Sequence, residues 1–374
     1  MVSAAHVLKL AVEATGLEDF GPDGYQEGLQ RTLDAFACAP ITQAARRAAE
    51  DQVVADLANR LRIEQWHRER PAVANLPIEG PILVCGLPRT GTTATVGMMA
   101  LDGRFRYLRT WEAINPIPPP RTDEELRDPR VLSAHAAAKT YSKRSQHIHD
   151  PDGPEEDLAL LAGLDMHAYH GRYPMPQDFL DWWMQADFRS TYAYHRRVLK
   201  ILQSERPPNF WLLKAPPHLF KLDAFAAEYP EARFVMTHRD PAKVIPSVSS
   251  LHFTLHSGHC VPGSLNKLTY GPALLTFWKE GMRRALEARR RIGEHRFIDV
   301  WNEDVVAHPV ETFRKLYERL EFELRPGLSS RLEEYNRRNA REMFGEHRYS
   351  AEEYGLTTLQ IRAAFEEYIE RFHL

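Results

Sequence analysis

Ile82-Leu-Val-Cys-Gly86-Leu-Pro-Arg-Thr-Gly91-Thr-Thr93 is the stretch from which the rest of the chain can be read. Pro71, Pro77 and Gly80 interrupt what precedes it, and four apolar residues then run straight into a glycine. Such a run, bounded by turn residues, reads as a strand buried on both faces. A helix-like segment follows over residues 94–101. Between strand and helix the backbone N–H groups of a tight turn and a helix N-terminus converge, which favours an anion. The spacing from Gly86 to Gly91 is that of the nucleotide-hydrolase loop G-x-x-x-x-G-K-[ST], but Thr92 stands where the lysine belongs. Without that lysine a nucleoside triphosphate loses its counter-charge, so ATP or GTP chemistry is disfavoured. Arg89 supplies a fixed cation instead.

Working outward, similar apolar runs occur at residues 210–213 and 233–236, with a weaker one at 297–300, each ahead of a helix-like segment. Strands alternating with helices imply right-handed crossovers and a doubly wound sheet. The expected fold is therefore α/β: a P-loop-like three-layer α/β/α body with a central parallel sheet, a helical N-terminal extension and a large helical insertion. Residues 1–75 form the extension, with apolar positions such as Val54, Leu57 and Leu61 at helical spacing. Residues 76–374 form the body, and the insertion covers about 102–206. The Pro116 to Pro120 stretch and the aromatics near Tyr169 and Trp182-Trp183 fall in that insertion and are expected to shape an acceptor pocket. Most individual aromatics there read as core packing. Further helices are expected near 274–292, 310–320 and 357–372.

Composition narrows the function classes. The 48 Lys and Arg against 51 Asp and Glu give a net charge of −3, which argues against a polybasic nucleic-acid binder. With 43% hydrophobic and 26% charged residues the chain can bury a core, and its apolar runs fall far short of a membrane span. Glu13, Glu18 and Asp19 stand where a signal peptide needs apolar or small residues. The three cysteines, Cys38, Cys85 and Cys260, show no CxxC pairing. A cytoplasmic protein without a disulfide framework is the expectation.

Gly86-Leu-Pro-Arg-Thr-Gly-Thr-Thr93 resembles the 5′-phosphosulfate loop of sulfotransferases that use 3′-phosphoadenosine 5′-phosphosulfate, in the bacterial variety carrying P-R-[ST]-G-T-T. Phe234-Val-Met-Thr-His-Arg239-Asp-Pro241 with Ser247 resembles the family's 3′-phosphate site. The separation of eight positions from Arg239 to Ser247 suits a strand end and the next helix gripping one phosphate. Lys214, in Leu213-Lys-Ala-Pro-Pro-His218, matches the family's strand-end lysine. Val300-Trp-Asn302-Glu-Asp304 resembles a late strand whose tyrosine reaches adenine, but Asn302 occupies the tyrosine position. The stretch Gly345-Glu-His-Arg348 is similar to a bacterial C-terminal tail and leaves Arg348 to close the 3′-phosphate. The resemblance spans about residues 81–372, and Thr15-Gly-Leu-Glu-Asp-Phe-Gly21 extends it.

The resemblance implies transfer of a sulfuryl group from 3′-phosphoadenosine 5′-phosphosulfate to a hydroxyl of a small molecule, lipid or glycan, releasing adenosine 3′,5′-bisphosphate without a metal. Arg89, Thr90, Gly91, Thr92 and Thr93 would hold the phosphosulfate, Lys214 the bridging oxygen, and Arg239 with Ser247 the other phosphate. Glu112 and His218 are rival bases, and Glu155-Glu156 is a third option. His252, His256 and His259 share helical spacing but lack a full ligand set, so no metal is assigned. An ATP-dependent kinase and a non-catalytic nucleotide binder are the competing readings. No nucleic-acid partner is expected, and the oligomeric state, a homo-oligomer included, is left open.

Overall fold

The computed structural model describes residues 2–121, 127–141, 150–157, 172–207, 209–339 and 350–374, without the side chains of 137–141. Its centre is one five-stranded sheet in the order β2-β3-β1-β4-β5. The strands are β1 (Ile82–Gly86), β2 (Phe105–Tyr107), β3 (Phe210–Lys214), β4 (Arg233–His238) and β5 (Phe297–Trp301). All pair in parallel, with Val84 between Lys214 and Val235, and Gly86 beside Thr237.

The continuous apolar runs conceal a period of two. Leu83, Cys85, Leu213, Phe234 and Met236 enter one core, while Ile82, Val84, Leu212, Val235 and Ile298 enter the other. Two cores on one sheet make three layers, as expected. Towards the first core pack α1 (Ala4–Thr15), α2 (Gln26–Cys38) and α3 (Gln43–Glu69) of the N-terminal region. The second core receives Val96, Met98 and Met99 of α4 (Thr92–Met99).

The insertion is less separate than its sequence suggests, because it carries β2 into the sheet and then α5 (Thr110–Ile114), α6 (Pro129–Tyr141), α7 (Gln177–Gln185) and α8 (Arg189–Ser204). Arg60 of α3 joins it to the N-terminal region. Its guanidinium lies 4.3 Å from the Tyr25 ring and 4.1 Å from the Tyr194 ring, and donates to Phe20 O and Pro22 O at 2.6 Å each. A cation this buried is stable only because carbonyls and ring faces replace its water.

Past β3 come α9 (Leu222–Glu228), then after β4 α10 (Pro241–Ser257) and α11 (Lys267–Ile292). The last begins seven residues before the expected start, capped by the Asn266 side chain on Leu268 N and passing through Pro272, a residue that disfavours helix interiors. After β5 follow α12 (Asn302–Ala307), α13 (Pro309–Arg319) and α14 (Leu328–Arg338), with Phe313, Leu316 and Leu332 in the second core. The single C-terminal helix expected over 357–372 is two, α15 (Thr358–Ala364) and α16 (Glu366–Phe372), broken at Phe365. No helix among the described residues is long and apolar enough to cross a membrane.

Candidate active site

The turn after β1 is built around left-handed backbone. Gly86 has φ 150°, and a Cβ there would overlap Thr237 Oγ1 and lie 2.7 Å from Thr237 O and 2.9 Å from Thr90 Oγ1. Glycine is required where backbone and hydroxyls approach this closely. Arg89 is also left-handed, at φ 68°, a conformation that costs an L-residue about 1–2 kcal/mol. Thr90 offsets that strain: its N–H and hydroxyl both donate to Leu87 O, at 3.3 and 2.6 Å, and its oxygen lies 2.6 Å from Thr237 Oγ1. The fully buried Thr90 side chain therefore serves the loop's shape, tying it to β4.

Gly91, at φ 94°, is the N-cap of α4, and no side chain caps the helix there. Thr92 is buried and Thr93 exposed on the opening turn. The helix thus presents its first amides and its positive dipole end beyond the carboxyl end of β1. Asn302, the first residue of α12, rests against the loop, its Nδ2 filling the space a Gly91 Cβ would take.

The second expected anion grip lies alongside the first. Arg239 follows β4, Asp240 caps α10 by accepting from Ala242 N at 2.9 Å, and Pro241 occupies the first helical position. Arg239 Nη1 donates to Arg89 O at 3.0 Å, while Arg89 Nε donates to the buried Ser247 Oγ at 3.1 Å. Arg89, Arg239 and Ser247 therefore converge on one surface. Arg348 lies outside the described residues.

A neighbouring network holds the Arg239 turn in place. Arg289 is bidentate to Asp299 at 2.5 and 2.8 Å, and Asp299 lies 2.8 Å from His238 Nε2. Burial raises the Asp299 carboxyl, but Arg289 and His238 outweigh it and hold it well below the usual carboxylate range. His238 stacks on Phe372 at 3.9 Å, and Asp240 accepts from Arg362 at 2.8 Å, so the C-terminal helices clamp the turn. Histidine directly before the Arg-Asp-Pro sequence was the one signal of this network, and it identifies no partner.

Both rival bases are enclosed. Glu112 is 0% exposed, with Oε1 accepting from Arg106 at 2.9 Å and Arg109 at 3.1 Å, and Oε2 from Arg109 N at 3.0 Å. Burial pushes its carboxyl up, yet the two arginines prevail and lower it. His218 is 1% exposed, its Nδ1 2.7 Å from Tyr192 OH and its Nε2 2.9 Å from both oxygens of Asp157. Asp157 also faces His195 Nε2 at 3.4 Å, and His195 Nδ1 meets Tyr229 OH at 2.8 Å. Lys214, at the end of β3, pairs with Glu156 at 3.2 Å.

The three histidines of α10 and the following turn diverge in role: His256 Nδ1 meets Tyr270 OH at 2.8 Å, whereas the His259 ring packs 5.1 Å from Tyr173. Among the described residues no three His, Cys, Asp or Glu side chains are grouped to hold a metal ion.

Comparison with known proteins reaches the same region. The sulfotransferase family model matches residues 81–326. Curated omega-hydroxy-beta-dihydromenaquinone-9 sulfotransferases of Mycobacterium bovis and Mycobacterium tuberculosis are 26% identical over 249 residues, 64% of this chain and 62% of theirs. Among solved structures, sulfotransferase STF9 from Mycobacterium avium superposes with a TM-score of 0.91 at 29% identity, covering 99% of this chain and 97% of that one. Sulfotransferase STF1 from Mycobacterium tuberculosis gives 0.83 at 27% identity, covering 98% and 99%. Since the stretch matched by the family model contains every strand of the sheet together with the turn from Gly86 to Gly91, the chain belongs to the sulfotransferase family.

Proposed function

We propose that the protein transfers a sulfuryl group from 3′-phosphoadenosine 5′-phosphosulfate to a hydroxyl acceptor. The observation that carries this reading is the junction of Arg89 with Ser247 and of Arg239 with Arg89 O, which makes the two expected anion grips one surface. A nucleotide with two anionic ends fits such a surface better than a simple adenylate. The helix N-terminus at Gly91 to Thr93 and the Arg89 turn would receive the 5′-phosphosulfate. Arg239 and Ser247 would receive the 3′-phosphate, and Lys214 would neutralise charge on the bridging oxygen as it leaves. Thr90 and Asn302 act on the loop, by hydrogen bonds and by packing against Gly91, and fix its position.

The acceptor is proposed to be a small-molecule or lipid alcohol. Support comes from the matched mycobacterial relatives, whose name specifies an omega-hydroxy dihydromenaquinone. Residues 1–75 act in this scheme as an extension buttressing the insertion through Arg60.

Calorimetry with adenosine 3′,5′-bisphosphate and 5′-AMP tests the reading. Arg239→Ala loses about 10-fold to 100-fold more affinity for the bisphosphate than for 5′-AMP, the worth of one charge-assisted contact. Equal losses for both ligands would refute the assignment. A labelled-sulfate screen of phenols, steroids, long-chain alcohols and glycans then identifies the acceptor.

A further inference from the structure

Residues 155–157 run across the carboxyl ends of β2 and β3. Glu155 N donates to Leu108 O at 2.8 Å, just past β2, and Asp157 N donates to Lys214 O at 3.3 Å. Glu156 lies between these two anchors. Its Oε1 is 3.2 Å from Lys214 Nζ, and its side chain is 38% exposed while that of Lys214 is 5% exposed. Asp157 is locked from behind by His218 and His195.

We propose that Glu156 is the catalytic residue that takes the acceptor's proton, with Asp157 as a positioning residue. This rests on the sulfuryl-transfer reading above. A base has to come within hydrogen-bond reach of the proton it removes. Glu112 has both oxygens engaged inside the protein, and His218 has both ring nitrogens engaged. Glu156 is the partly open carboxylate beside Lys214, the lysine assigned to the leaving oxygen. In the reaction the acceptor O–H proton passes to a Glu156 oxygen while the acceptor oxygen bonds to sulfur. The bond from sulfur to the bridging oxygen breaks, its electron pair stays on the 5′-phosphate, and the proton later leaves to water. Before donor binding Glu156 occupies Lys214, and the donor's anionic end competes for that ammonium. Removing the carboxylate therefore frees the lysine for the donor.

The test uses the full chain with sulfur-labelled 3′-phosphoadenosine 5′-phosphosulfate. Acceptors are phenol, a steroid alcohol, a long-chain primary alcohol and water itself, the last read as donor hydrolysis. Glu156→Gln lowers the single-turnover rate at least about 100-fold with every acceptor that wild type turns over, the lower end of the range for lost general-base catalysis. Its affinity for adenosine 3′,5′-bisphosphate stays within 3-fold or tightens. Added formate raises the rate of Glu156→Ala. A smaller rate loss in Glu156→Gln, a 10-fold weaker bisphosphate affinity, or no response to formate overturns the assignment. Failure of the wild-type chain to bind the bisphosphate would instead remove the sulfuryl-transfer reading itself.

Discussion

Replacing Gly91 by alanine separates two costs that the structure places at one atom. The residue sits at φ 94°, so any Cβ incurs left-handed strain of about 1–2 kcal/mol. The new methyl also overlaps Asn302 Nδ2. That nitrogen is the tip of a short side chain, and turning it off its rotamer costs only about 0.5–1.5 kcal/mol. Gly91→Ala should therefore lower stability by about 2–3 kcal/mol, the backbone contributing the larger part. Asn302→Ala in the same chain relieves the overlap and leaves the strain. Urea denaturation of the wild type, both single variants and the double variant gives a coupling of about 1 kcal/mol in the relieving direction. A coupling indistinguishable from zero would show that Asn302 does not press on the loop. A Gly91→Ala chain as stable as wild type would show that the turn is not held left-handed in solution.

Two other substitutions probe the buried charges behind the site. Burial raises the Asp157 carboxyl, but His218 and His195 more than reverse this and hold it well below its ordinary value near 3.8. The unfolded chain therefore takes up this proton first as pH falls, and the stabilisation, complete at neutral pH, is lost below about pH 4. Asp157→Asn should be destabilised by about 3 kcal/mol at pH 7, with a gap that narrows below pH 4 in urea midpoints; a gap independent of pH contradicts this. Arg289→Met leaves the half-buried Asp299 without its bidentate partner and should cost about 3 kcal/mol, with weaker binding of adenosine 3′,5′-bisphosphate, and a thermal midpoint within a degree of wild type would contradict it.

The strands were legible because a parallel sheet covered on both faces favours continuous apolar residues, and such runs coincide with β1, β3 and β4, with a weaker one, interrupted by Asp299, at β5. β2, the strand expected ahead of Leu108, is only weakly marked, because its three residues, Phe105-Arg-Tyr107, include a buried arginine where an apolar residue is the usual signal. Arg106 is tolerated there because it donates to Leu202 O and Arg206 O at 2.6 Å and pairs with Glu112. Glu112 is occupied by local partners, Arg106 six residues and Arg109 three residues before it, a pairing that the arginines in Arg106 to Glu112 already suggest. The turn between β1 and α4 was legible because its signals are local: glycine spacing, one arginine and a helix start within a dozen residues. The relation between Glu156, Asp157 and Lys214 was not, since 58 residues separate Glu156 from Lys214 and only the sheet's order brings them together.

That order also fixes how the Arg239 experiment has to be read. The chain leaves β1 for β2 and β3 on one side and returns to β4 on the other, so the strand order reverses at the β1–β4 boundary, the position where open α/β sheets place their ligands. Gly86 and Thr237 are register partners on that boundary, and Thr90 is hydrogen-bonded to Thr237 across it. Arg239, two residues beyond Thr237, donates to the carbonyl of Arg89. The two grips are thus mechanically joined, and Arg239→Ala removes a loop hydrogen bond worth about 0.5–1.5 kcal/mol as well as a phosphate contact. A loss of about 2-fold to 10-fold for 5′-AMP is therefore expected and does not by itself contradict the assignment. The deciding quantity is the ratio of the two losses. If the bisphosphate loses at least 10-fold more than 5′-AMP, Arg239 contacts the second phosphate; a ratio near one means that it only props the loop.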